Sequence, residues 1–156
     1  MGNKERLKAI LERQAAAVER ERLDEEAASA KAEKVRLVRV EVIKKWQEQR
    51  TRLETYVAQI NKETTKNGVQ LFIVKNPRQA DTGLGMEVDK MEVAFRQRMP
   101  YDKKLVISVR ANGEAHVSIS TSSVSQAQQY RLNVLEVTNE QLEATVLDFL
   151  DANTPK

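Results

Sequence analysis

A histidine followed two and four residues later by serines is the smallest fragment of nucleophilic chemistry in this sequence, at His116 within EAHVSIS, residues 114–120. There are no cysteines and only this one histidine. Disulfides, thiolate metal sites and two-imidazole sites are therefore excluded, and any Ser/His/Asp constellation would have to run through His116. The hairpin around the residue decides which way it points. A two-residue loop Asn112-Gly113 would set Val109 opposite His116 and mix polar with apolar residues on one side. A three-residue loop, Ala111-Asn112-Gly113 with Gly113 at positive φ, pairs Val109 with Ala115, Ile107 with Val117 and Leu105 with Ile119. The other face then carries Arg110 with Glu114 and Ser108 with His116, so His116 is expected to be an ordinary residue of the polar face.

The remaining chemical candidates are weaker. Gly83-Leu84-Gly85 is a G-x-G fragment, but it precedes a strand and lacks the helix N-terminus a phosphate would need, so it reads as a connector. Asp81, Glu87, Asp89 and Glu92 are close in sequence without glycosidase-like or metal-ligand spacing, and read as solvated strand and loop residues. Met1-Gly2 has Arg6 where a myristoylation signal would carry Ser or Thr. Residues 31 to 52 hold eight basic residues against three acidic ones. Lys31, Lys34, Arg36, Arg39, Lys44 and Lys45 are the candidates there for phosphate contacts, as on nucleic acid; the competing reading is a solvated flank whose stems cover an apolar seam. No catalytic residue, cofactor site or metal site is expected, and the chain is not expected to be an enzyme.

These residues depend on two halves of different grammar. Apart from Gly2, every glycine lies at 68 or later and every proline at 77 or later. Residues 3–67 are filled with Ala, Glu, Lys, Arg, Gln and Leu, which predicts a long helix of about 1.5 Å per residue, on the order of 90 Å in all. Within it Val35, Val38, Val42, Trp46, Gln49, Leu53, Tyr56 and Ile60 are spaced 3, 4, 4, 3, 4, 3 and 4, close to a heptad seam. Val35, Val38, Val42, Trp46, Leu53, Tyr56 and Ile60 are accordingly the expected interface of a homo-oligomer, most simply a dimer. Upstream, Leu7, Leu11, Gln14 and Val18 continue 4, 3, 4 until Glu19, Glu21, Asp24, Glu25 and Glu26 break the seam; Leu7, Ile10, Leu11 and Val18 are expected to dock a protein partner. The β-branched alternation in VRLVRVEVI, residues 35–43, could also read as a strand, but both flanks are strongly helical.

From Asn67-Gly68 onward short β-type runs alternate with turns. Strands are predicted at 69–75, 86–98 (with a bulge near Asp89-Lys90), 104–110, 114–120 and 130–137, separated by loops at 76–85 and 121–129. A closing helix follows Thr138, which with Gln141 makes a capping box, and Val137 and Leu142 take staple positions. The expectation is an α+β chain: a coiled-coil-like helical rod over residues 1–66, then a small domain over 67–156 in which a meander of four or five antiparallel strands packs one face against the C-terminal helix. There is no run of about 18 apolar residues and no secretory h-region in MGNKERLKAI, so no membrane span and a cytoplasmic location are expected. The functional expectation is a non-enzymatic, self-associating interaction or scaffolding protein. The alternative is nucleic-acid binding through 31–52, which is not favoured at a net charge of +3 for the chain.

Overall fold

The computed structural model describes residues 2–64, 66, 70–74, 87–95, 103–121 and 128–154. The element order is a long helix α1 (Asn3–Thr64), five strands and a second helix: β1 (Leu71–Ile73), β2 (Glu87–Phe95), β3 (Lys104–Arg110), β4 (Glu114–Ile119), β5 (Gln128–Asn133) and α2 (Asn139–Ala152). The strands form one sheet in the order β1-β2-β3-β4-β5, with every neighbouring pair antiparallel. The fold is therefore α+β, with a meander between two helices. Residues 35–43 are helical throughout. The helix-stop signal at Asn67-Gly68, the G-x-G fragment, Asp81, Met1 and most of the two loops lie outside the described residues.

The chain forms two compact units, Met1–Leu37 and Val38–Lys156. This division falls inside α1, where the sequence suggested a rod ending at residue 66. The reason is that Val42, Trp46, Gln49, Leu53, Val57 and Ile60 of α1 are buried in one core with the sheet and α2. They recur every three or four residues, the spacing of one face of a helix. A fully buried Trp or Leu contributes roughly 1.5–3 kcal/mol relative to exposure, so this half of α1 is inseparable from the domain it covers.

Strand alternation supplies the other side of that core. Leu105, Ile107 and Val109 of β3 and Ala115, Val117 and Ile119 of β4 are all buried, whereas the residues between them are half-exposed. The β3–β4 register pairs Leu105 with Ile119, Ile107 with Val117 and Val109 with Ala115, as the three-residue loop requires. Gly113 has φ of +95°; its N–H donates to the Arg110 carbonyl at 2.9 Å and its own carbonyl accepts from Val134 N–H at 2.8 Å. On β2 the register shifts between Glu87 and Asp89, which is the bulge the phase slip suggested. The fifth strand runs earlier than the hydrophobic run at 130–137. Asn133 ends it, because its side-chain oxygen accepts from Leu135 N–H at 2.9 Å and its carbonyl accepts from Glu136 and Val137 N–H, turning the chain before α2.

The capping box of α2 is formed as the residues indicate. Thr138 Oγ1 accepts from Gln141 N–H at 3.2 Å, and Gln141 Oε1 accepts from Thr138 N–H at 2.9 Å. Leu142, Val146 and Phe149 are buried below it, and the Phe149 ring meets Phe95 of β2 at a centroid separation of 5.1 Å.

A Cβ at position 113 would lie 3.2 Å from Asn133 Oδ1 and 3.3 Å from Val42 Cγ2. Gly113→Val therefore combines a strained left-handed φ with a crowded contact to α1, and is expected to lower the unfolding free energy by about 2 kcal/mol in urea titration. An unchanged midpoint would contradict the close approach.

Candidate functional site

The residues expected to bind partners separate sharply by burial. Val42, Trp46, Leu53 and Ile60 are 0%, 1%, 2% and 7% exposed, and Tyr56 packs against the same cluster. These residues are therefore not free to form the expected oligomer interface: the chain's own sheet occupies that stretch of the seam, because five strands with one apolar face need a cover and α1 provides it. Val35 and Val38, the first two seam residues, are 60% and 37% exposed.

Four polar side chains fix this half of α1 to the domain. The Trp46 indole N–H donates to Asp89 Oδ2 at 2.6 Å, and the Arg50 guanidinium reaches the same oxygen at 2.5 Å. Burial alone would lower the Arg50 pKa, but its hydrogen bond and charge pairing with Asp89, assisted by Glu54, outweigh this and raise it. Gln49, buried in the seam, donates to the Val134 carbonyl at 3.0 Å. Asn61 donates to the Leu71 carbonyl and accepts from Leu71 N–H, both at 2.8 Å, so a side-chain amide pairs with β1 as a strand would. Asp89 is thus not a solvated strand residue, and neither is Glu87, which accepts from the Ser108 hydroxyl at 3.0 Å; Glu92 pairs with Lys90 at 3.4 Å. Val57, 3% exposed, is absent from the heptad count because strict heptad spacing selects Tyr56, and only the true helical period carries the stripe onto its neighbour.

His116 lies on the polar face, paired in register with Ser108. Its Nε2 stands 3.4 Å from Glu114 Oε1, and the same carboxylate oxygen accepts from Arg131 at 3.1 Å. The Ser108 hydroxyl, opposite His116 in register, is directed to Glu87 instead of the imidazole. Among the described residues no group of three or more His, Asp or Glu side chains is disposed to hold a metal ion, and no helix is long and apolar enough to cross a membrane.

The amino-terminal half of α1 presents a different surface. Leu7, Ile10, Leu11 and Val18 are between 41% and 62% exposed, and Leu23, Val35, Leu37, Val38 and Val40 are exposed as well. Charged residues surround them. Arg22 donates to Glu19 at 2.6 Å and to Glu26 at 2.7 Å, and Arg36 to Glu33 at 2.6 Å; these hydrogen bonds hold the Glu19 and Glu33 carboxyls below the usual carboxylate range. Lys31, Lys34, Arg36, Arg39, Lys44 and Lys45 are all exposed. Lys44 and Lys45 share a shallow depression of about 450 Å³ with Glu41, Glu48 and Leu135, so acidic side chains alternate with the bases there.

Leu53→Asp is consequently expected to unfold the domain and not merely to separate subunits. An unpaired charge in this core should cost roughly 3 kcal/mol or more, read from the equilibrium urea midpoint at low protein concentration. A variant of wild-type stability would contradict the placement of Leu53.

No protein-family model, curated protein or solved structure matches the chain.

Proposed function

We propose that this chain is a non-enzymatic, self-associating interaction protein of the cytoplasm. In this reading the amino-terminal half of α1 makes the contacts and the α+β domain anchors it and offers its polar sheet face. The observation that carries the reading is the row of large apolar side chains exposed along α1 from Leu7 to Val40, while the same helix buries Val42 to Ile60 in the domain. A helix of this composition left alone in water gains little from its apolar stripe, and covering that stripe is what would reward its length. Support for a non-enzymatic role comes from the polar face, where the Ser108 hydroxyl addresses Glu87 instead of His116. A second reading, phosphate binding by Lys31, Lys34, Arg36, Arg39, Lys44 and Lys45, rests on their shared exposure.

The test is sedimentation equilibrium of the full chain and of Leu11→Asp/Val18→Asp. The wild-type chain should rise in mass with concentration. The double variant should remain at the mass of one chain, with a thermal midpoint within about 2 °C of wild type because both sites are exposed. A wild-type chain that is monomeric throughout, together with nucleic-acid binding that falls steeply with salt, would favour the second reading.

A further inference from the structure

Deepening that self-association reading, on which it rests, we infer that the contact is an antiparallel pairing of residues 4–21 of α1 with the same residues of a second copy. Leu7, Leu11, Gln14 and Val18 are spaced 4, 3, 4, and the next seam positions outward, three residues away at each end, are Lys4 and Glu21. The spacing reads the same in both directions, so a reversed copy presents the same seam to itself. Direction is then decided by the ends. A parallel, in-register copy sets Lys4 against Lys4 and Glu21 against Glu21, and continues into the acidic block at Asp24, Glu25 and Glu26, where like charges repel. An antiparallel copy sets Leu7 against Val18 and Leu11 against Gln14 of the second chain, and closes each end with a Lys4–Glu21 pair of opposite charge.

The surface needed for this is open. All of the seam residues are exposed in the single chain, with Leu7, Leu11 and Val18 at 55% or more. Arg22 is already engaged by Glu19 and Glu26, and Glu21 takes part in neither pair. The overlap spans about 26 Å at helical rise. It makes a closed, two-fold arrangement in which both copies use the same patch, so it ends at a dimer and does not propagate into a filament.

The experiment uses the full chain, whose freedom from cysteine makes every introduced thiol unique. In sedimentation equilibrium Lys4→Glu and Glu21→Lys should each weaken dimerisation roughly tenfold, since each changes two symmetry-related pairs, and Lys4→Glu/Glu21→Lys should return the constant to near wild type. Under mild oxidation an equimolar mixture of Leu7→Cys and Val18→Cys chains should cross-link to a mixed dimer, while Leu7→Cys alone should not. A wild-type dimer indifferent to Lys4→Glu, a double variant no tighter than the singles, or Leu7→Cys cross-linking by itself as readily as the mixture would each overturn the antiparallel pairing and leave self-association standing. A wild-type chain that stays monomeric up to roughly 500 µM would overturn the self-association reading and this pairing with it.

Discussion

A five-stranded antiparallel meander carries one apolar face, and that face must be covered before anything else in this chain can be stable. The 14 residues of α2 bring Leu142, Val146 and Phe149 to the core. The rest of the cover comes from Val42 to Ile60 of α1. Hydrophobic burial grows with the apolar area removed from water, so recruiting part of a long helix already present in the sequence adds the missing area without another element. The division of α1 into a buried and an exposed part follows from this demand. Its buried part carries the side chains the sheet requires, and its exposed part carries the same kind of side chains with no sheet to receive them.

How much of this was legible in the residues varies with how local the signal is. Gly113, the β3–β4 register and the Thr138–Gln141 box were all readable, because each is decided by a few adjacent residues and one steric or hydrogen-bond rule. The seam at 42–60 was also visible as a seam. Its recipient was not, since a stripe of apolar residues at helical spacing is equally suited to a second helix or to a sheet, and only the three-dimensional arrangement decides. Val57 was hidden for a related reason: packing on a sheet imposes no supercoil, so the true 3.6-residue period governs and drifts away from a heptad count.

The polar residues were misread where their partners are distant. Asp89 and Trp46 are 43 residues apart, and nothing near either one announces the bond between them. Glu87 and Asp89 looked like a solvated pair by spacing, yet the bulge between them sends Glu87 to Ser108 on the polar face and Asp89 to Trp46 and Arg50 of α1. A single extra residue in a strand thus assigns two similar carboxylates to opposite sides of the sheet. The candidate interaction surface had the reverse fate. Leu7, Ile10, Leu11 and Val18 were picked out by spacing alone, and their exposure in the folded chain is what keeps them eligible for contact.

An apolar stripe on a helix is a smooth rail: displaced by one turn, about 5.4 Å, it still offers branched and aromatic side chains to the sheet. The amides and the indole of α1 remove that translational freedom. Trp46 meets Asp89, Gln49 meets the Val134 carbonyl and Asn61 meets both polar groups of Leu71, three anchor points spread over four turns of helix and reaching three separate places on the domain. A slide in either direction would break all of them at once and leave the Trp46 and Gln49 donors buried without partners, so the axial alignment of helix and sheet is selected by the misfit of its neighbours as much as by its own contacts.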